Sequence, residues 1–243
     1  MSNPRFYVPA PLSVGTPVAL PVAAAHHAVR VLRLQVDAPL TLFNGAGGEY
    51  AARIISISKS EVVVNIERHD AIERESPLAV TLVQALSSGE RMDLTIQKAV
   101  ELGVAQIVPV ETERCVVRLQ GERAVKRVQH WQQIVISACE QCGRNRLPVV
   151  SPILSIDAWL ASGGRDTQRW LLSPRAAQAL RELPLPTKPI ELLVGPEGGF
   201  TDAEMAAAQR ARYEGVRLGP RVLRTETAAP ALLAAVQALW GDF

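Results

Sequence analysis

The chain contains no apolar run approaching the 18 residues that a membrane-spanning helix needs, so no transmembrane segment is expected. Its first residues, Met-Ser-Asn-Pro-Arg-Phe, lack the apolar centre of a secretory leader, and a cytoplasmic protein is expected. Cysteine is scarce: Cys115, Cys139 and Cys142 make an odd set with no second pair at zinc-ribbon spacing. Even with His130 as a fourth donor this argues against a metal centre, and buried reduced thiols are expected. An excess of charge is also missing, 26 basic residues against 24 acidic, so composition alone says little about nucleic acid. No Gly-x-Gly-x-x-Gly or Gly-Lys-Ser/Thr loop occurs; the turn Gly89-Glu-Arg91 is too poor in glycine. That excludes a dinucleotide-dependent dehydrogenase or a P-loop enzyme.

What is present suffices for two unequal domains: 243 residues, 48% hydrophobic, mean hydropathy +0.10. Residues 1–75 hold short β-like runs, Phe6–Val8, Leu40–Phe43, Tyr50–Ile55 and Val62–Ile66, separated by Asn44-Gly45 and Gly47-Gly48. One helical patch, His26 to Leu34, interrupts them. The pattern is that of a small β-barrel, closed by the charged joint Glu73-Arg-Glu-Ser-Pro77. From residue 76 to 243 strands and helices alternate. Strands are predicted at Val80–Leu86, Ile107–Val110, Trp170–Leu172, Ile190–Val194 and Val216–Leu218. Helices are predicted at Arg91–Leu102, Glu122–Cys142, after Thr201, and at Ala228–Trp240. Such alternation argues a parallel sheet covered on both faces.

Two loops stand out. Gly195-Pro-Glu-Gly-Gly-Phe200 leaves a buried strand and enters a helix whose Thr201 and Glu204 form a capping box. Leu218-Gly-Pro-Arg-Val-Leu-Arg-Thr-Glu-Thr-Ala228 does the same before the last helix, where Pro230 is tolerated in the first turn. The two are expected side by side at one edge of the sheet, their glycines exposing main chain to a ligand. Arg221, Arg224 and Glu226 are costly near a buried crevice unless paired or used. A second concentration of charge lies at Arg114–Arg146, where seven basic residues face only Glu122 and Glu140. It is read as a phosphate-contacting face.

These loops resemble those of the SPOUT class of RNA methyltransferases, and most closely the ribosomal RNA small-subunit methyltransferase E family. Arg91-Met-Asp…Gln97–Gly103, Thr112–Val116, Ala138–Asn145, His27–Arg33 and Phe43-Asn-Gly45 agree with it, so the resemblance covers essentially the whole chain. Relatives can carry serine at the position of Cys142, and many have lysine where Ser88 stands. The resemblance implies an α/β SPOUT-type parallel sheet with a C-terminal trefoil knot, preceded by a PUA-like RNA-binding barrel. It implies S-adenosylmethionine as cofactor and methylation of N3 of a uridine in the decoding region of 16S rRNA. A homodimer is expected from the almost wholly apolar last helix. The substrate is expected to be the assembled small ribosomal subunit. The rival reading is a non-catalytic RNA-binding or assembly module.

Carried over residue by residue, the cofactor would meet Leu172, Ser173, Val194, Gly195, Pro196, Glu197, Gly198, Gly199, Leu218, Gly219, Leu223, Arg224, Thr225 and Ala228. Methylating N3 requires removal of its proton and stabilisation of charge on O2 and O4. Arg224 is the candidate for those oxygens or for the cofactor carboxylate. Glu197 or Glu226 could take the proton, although Glu226 also suits a plain role at a helix start. Arg5, His27, Arg30 and Arg33, the last two sharing a helix face, and Arg114, Arg144 and Arg146 are the candidate RNA contacts.

Overall fold

A computed structural model describes residues 3–59, 61–163 and 166–243. It separates into two compact units, one of residues 1–75 with 139–147, the other of 76–138 with 148–243. Sequence texture places Cys139–Leu147 in the second domain, whereas the structure gives it to the first. Its side chains explain the difference: Asn145 Nδ2 donates to the Ile72 carbonyl (2.7 Å) and Arg144 pairs with Glu75 (2.5 Å).

The first unit contains β1 (Arg5–Tyr7), β2 (Pro17–Ala19), helix α1 (Val22–His26), β3 (Pro39–Phe43), β4 (Glu49–Ile57) and β5 (Val62–Asp70). The strands form one sheet in the order β1-β3-β4-β5-β2, antiparallel except where β1 runs beside β3. Alternation along β3 to β5 sends Leu40, Leu42, Ala52, Ile54, Val64 and Ile66 into one core with Phe6. Helix α1 begins earlier than predicted and continues as a π-helical turn, His27–Val31, so that Ala24 and Ala28 reach the same core. Arg33 lies beyond that turn at φ +55°, and therefore does not share a helix face with Arg30.

The second unit contains β6 (Val80–Ala85), α2 (Gly89–Glu101), β7 (Gln106–Glu111), α3 (Gly121–Cys142) up to Ala138, β8 (Val149–Val150), β9 (Leu154–Ser155) and α4 (Ile156–Ala161). It continues with β10 (Gln168–Leu172), β11 (Gln178–Ala179), β12 (Ile190–Val194), α5 (Asp202–Arg210), β13 (Glu214–Arg217) and α6 (Thr225–Trp240). The sheet order is β11-β13-β10-β12-β6-β7-β8, with β9 beside β7, and every pairing is parallel. β12 is buried at all five residues, as a central strand covered on both faces must be. After β13, near one edge, the chain returns to pack α6 on α2 and β12. Ala228, Ala229, Leu232, Leu233 and Val236 of α6 are buried. Gln237 interrupts its apolar pattern and is buried too, donating to the Leu102 carbonyl (3.0 Å) and accepting from Ser76 (2.8 Å). No helix is long and apolar enough to cross a membrane among the described residues.

Candidate active site

Three neighbouring strands of the parallel sheet, β12, β10 and β13, end in the segments that the sequence singles out. The C-terminal ends of such strands are where open α/β sheets hold ligands. The two glycine loops do not leave adjacent strands as expected, because β13 joins outside β10 and β10 separates it from β12. The segment after β10 therefore lies between them in strand order, and Ser173 N–H prolongs the ladder by donating to Val216 O (2.9 Å). The loops nevertheless meet: Thr225 Oγ1 donates to the Gly195 carbonyl at 3.1 Å.

The first loop is tightly specified. Gly199 N–H closes the turn onto the Pro196 carbonyl (2.9 Å), and Gly199 sits at φ +67°, a conformation that glycine adopts without penalty. The capping box follows as expected, with Glu204 N–H on Thr201 Oγ1 (3.2 Å) and Thr201 N–H on Glu204 Oε2 (2.8 Å). Arg114, expected on an RNA face, instead donates to the carbonyls of Gly198 (3.1 Å) and Phe200 (3.4 Å). A Cβ built on Gly198 would come within 3.0 Å of Arg114 Cβ, so this glycine admits the arginine.

Two carboxylates flank Arg91, the third residue of α2. Its Nη1 donates to Glu197 Oε1 at 2.9 Å, and its Nε lies 3.9 Å from Glu226 Oε1. Burial pushes the Glu197 carboxyl up. Hydrogen bonds from its own amide, Arg91 and the Ser88 amide outweigh this and hold it below the ordinary 4.5. Glu226 is 17% exposed, and its Oε2 is buried with no hydrogen-bond partner among the described residues. Arg224 is the N-cap of α6: its carbonyl accepts from the amides of Thr227 (2.9 Å) and Ala228 (2.8 Å). Its guanidinium is exposed and has no hydrogen bond or ion pair among the described residues.

Beside the second loop lies a groove of about 620 Å³, lined by Leu218, Gly219, Leu180 and, from α6, Ala235, Ala238 and Leu239. A Cβ on Gly219 would meet nothing within 4 Å, so main chain borders open space there. Val194, Pro196, Thr225 and Ala228 are buried beneath the loops, while Leu172, Leu218 and Leu223 are half-buried.

The candidate RNA contacts separate into two kinds. Arg5 pairs with Glu49 (2.5 Å), donates to Asn145 Oδ1 (2.7 Å) and stacks over Phe43. Arg144 is 5% exposed and forks onto Glu75. Both guanidinium groups are consumed inside the first unit, which corrects the expectation that they face phosphate. His27, Arg30 and Arg33 are exposed, and Arg146 is exposed with Glu73 at 3.5 Å. The basic window is thus no single face: Arg114 and Arg118 bind loop carbonyls, Arg144 is buried, and the stretch is divided between both units. Among the described residues no cluster of His, Cys, Asp and Glu could hold a metal ion. Burial pushes the Cys139 thiol up to about 12.

Two residues of the site are only faintly marked in the sequence. Arg91 stands there only as part of a longer motif, and Gln84, wholly buried on β6, donates to Thr225 Oγ1 at 3.3 Å. A polar residue inside the apolar run Val80–Leu86 is the available sign.

Residues 74–237 match the family model of an RNA methyltransferase domain, and residues 20–67 that of an RNA methyltransferase PUA domain. A curated relative from Buchnera aphidicola, named ribosomal RNA small subunit methyltransferase E, is 32% identical over 99% of this chain and 95% of its own. The chain belongs to the ribosomal RNA small subunit methyltransferase E family. Among solved structures, the family member from Neisseria gonorrhoeae, bound to S-adenosylmethionine, is 46% identical with a TM-score of 0.93, covering 99% of both chains. A Legionella pneumophila protein in complex with the same cofactor is 39% identical with a TM-score of 0.96, over 100% of both chains. The two-unit, PUA-plus-parallel-sheet architecture is therefore that of the family.

Proposed function

We propose that the protein transfers a methyl group from S-adenosylmethionine to N3 of a uridine in the decoding region of 16S rRNA, acting on the assembled small subunit. S-adenosylmethionine-dependent methylation of rRNA follows from membership of the family. The observation that carries the finer reading is the meeting of three strand-end segments, joined by Thr225 and Gly195, beside an unpaired Arg224. The donor set fits the cofactor. A groove walled by Leu180, Leu218 and the α6 alanines, lined also by Arg181, Arg217 and Arg221, with exposed main chain at Gly219, suits an adenosine, which backbone groups read along its edge. Leu172, Ser173, the Gly195–Gly199 loop, Leu218 and Leu223 would hold it. The bound cofactor supplies a methyl on a sulfonium, an activated electrophile that needs no metal.

The chain must then supply a proton acceptor and charge for the uracil oxygens. Arg224, exposed and unshared, is free to approach O2 or O4 as N3 loses its proton. Glu226 is the better of the two candidate acceptors. Glu197 is engaged by Arg91 at 2.9 Å, whereas Glu226 keeps one oxygen unpartnered. His27, Arg30, Arg33 and Arg146 would contact phosphate.

The remaining parts of this reading are a trefoil knot formed as α6 returns to β12, a cytoplasmic location, and a homodimer. The dimer is supported by the small, partly exposed apolar residues of α6 outside the groove, Ala231 and Ala234. Light scattering at micromolar concentration should give twice the mass of one chain; a stable monomer would refute the dimer. Calorimetric titration with S-adenosylmethionine tests the enzyme reading against a non-catalytic assembly module, which would bind RNA and release no heat with the cofactor.

A further inference from the structure

Gln84 is 0% exposed on β6, where its register partners are Val194 of β12 and Pro109 of β7. Val194 is the last residue before the first glycine loop. The rest of the β6 core is apolar, so an amide at this point needs a reason.

Its hydrogen bonds have a defined direction. Gln84 Nε2 lies 3.0 Å from the carbonyl of Ala85, and a carbonyl can only accept, so nitrogen and oxygen of the amide are not interchangeable here. The same nitrogen donates to Thr225 Oγ1 at 3.3 Å. The threonine hydroxyl, accepting that bond, has its single proton left for the Gly195 carbonyl at 3.1 Å. A three-member relay therefore runs from a central strand, through the first residue of α6, to the first residue of the glycine loop.

The relay is not explained by stability. Gln84 Oε1 is buried with no hydrogen-bond partner among the described residues. A buried acceptor left unanswered is destabilising, and an apolar side chain of the same shape would avoid the cost. What the amide does provide is a fixed orientation of the Gly195 carbonyl and a tie between the two loops.

We propose that Gln84 is a positioning residue for cofactor binding, acting through Thr225 to hold the two glycine loops in register with each other. The inference rests on the reading that these loops bind S-adenosylmethionine. The test is calorimetric titration of purified full-length protein with S-adenosylmethionine, beside thermal unfolding of the same samples. Gln84→Leu should bind about 10-fold more weakly, the scale of one net hydrogen bond, while its unfolding temperature changes little, because the swap removes the unpartnered Oε1 together with the two donated bonds. Turnover at saturating cofactor should change much less than affinity. Thr225→Val should weaken binding to the same extent, Thr225→Ser should restore it, and the double variant Gln84→Leu/Thr225→Val should lose no more than either alone. Wild-type affinity in Gln84→Leu would overturn the proposal, as would independent addition of the two losses. A Gln84→Leu chain that unfolds would contradict the inference drawn from Oε1. The threonine pair would then still read the relay directly, because Thr225→Val binding at full strength would remove it. If wild type itself takes up no cofactor, the functional reading fails first, and the titration distinguishes that case at once.

Discussion

Arg91 Nη1 and Glu197 Oε1 lie 2.9 Å apart, joining the start of α2 to the first glycine loop, with Glu226 on the far side of the same guanidinium at 3.9 Å. One cation thus serves two carboxylates in a site where Arg224 is the more conspicuous arginine by sequence. Arg91 tethers the first glycine loop to the start of α2, and it draws on Glu197 more than on Glu226.

This arrangement has a pH signature. The folded Glu197 carboxyl is held below 4.5, so its interaction adds stability above the unfolded value and loses it as pH falls through the folded one. Arg91→Met should lower the unfolding temperature slightly at pH 7, the pair being partly exposed and solvent-screened. The gap to wild type should close as pH falls below 4.5. A gap independent of pH would mean that Arg91 contributes through packing alone.

The two loop glycines should fail differently. Gly199→Ala places a side chain at φ +67° and should destabilise the protein by roughly 1–2 kcal/mol, whatever the space around it. Gly198→Val brings its Cβ to 3.0 Å from Arg114 Cβ and should displace Arg114 from the loop carbonyls. Its expected result is a folded protein with a modestly lowered unfolding temperature and lost S-adenosylmethionine binding in calorimetry. Full-strength binding by a folded Gly198→Val protein would remove this loop from the site.

Basic residues that look alike in sequence should also part company. Arg144→Ala leaves Glu75 without its buried partner and should cost about 3 kcal/mol in denaturant unfolding. Arg30→Ala should change stability by no more than about 0.5 kcal/mol. It should instead weaken RNA binding and reduce the salt slope by about one, the change expected for one phosphate contact. An unchanged salt slope would take Arg30 out of the RNA face.

The contrast between these arginines shows what a sequence can convey. β12, the capping box at Thr201 and Glu204, and the apolar last helix are legible because each is written in consecutive or periodic residues. Strand order is not, since an apolar strand carries no label for its neighbour, and nothing in the residues announces β10 between β12 and β13. Arg5 and Arg144 mislead for a related reason: their partners Glu49 and Glu75 stand 44 and 69 positions away. The π-helical turn that carries Arg33 off the helix face is likewise set by packing of Ala28 into the barrel core. Two-residue strands such as β8 and β9 are too short to leave a periodic trace.

Arg224 separates two mechanisms by kinetics. If it offsets charge on uracil oxygens, Arg224→Ala should lower single-turnover rates by about 100-fold or more with cofactor affinity little changed. Arg224→Lys should rescue only in part, because an ammonium cannot present two parallel donors. Lost cofactor affinity with normal turnover at saturation would assign it to the cofactor carboxylate.

The most direct measurement is mass mapping of 16S rRNA after incubating purified protein and S-adenosylmethionine with small subunits from a strain lacking the enzyme. The expected result is a single added methyl, on N3 of one uridine in the decoding region, with naked rRNA fragments modified far less. A methyl on carbon, on a ribose oxygen or on another base, or no methyl at all, would contradict the assigned reaction.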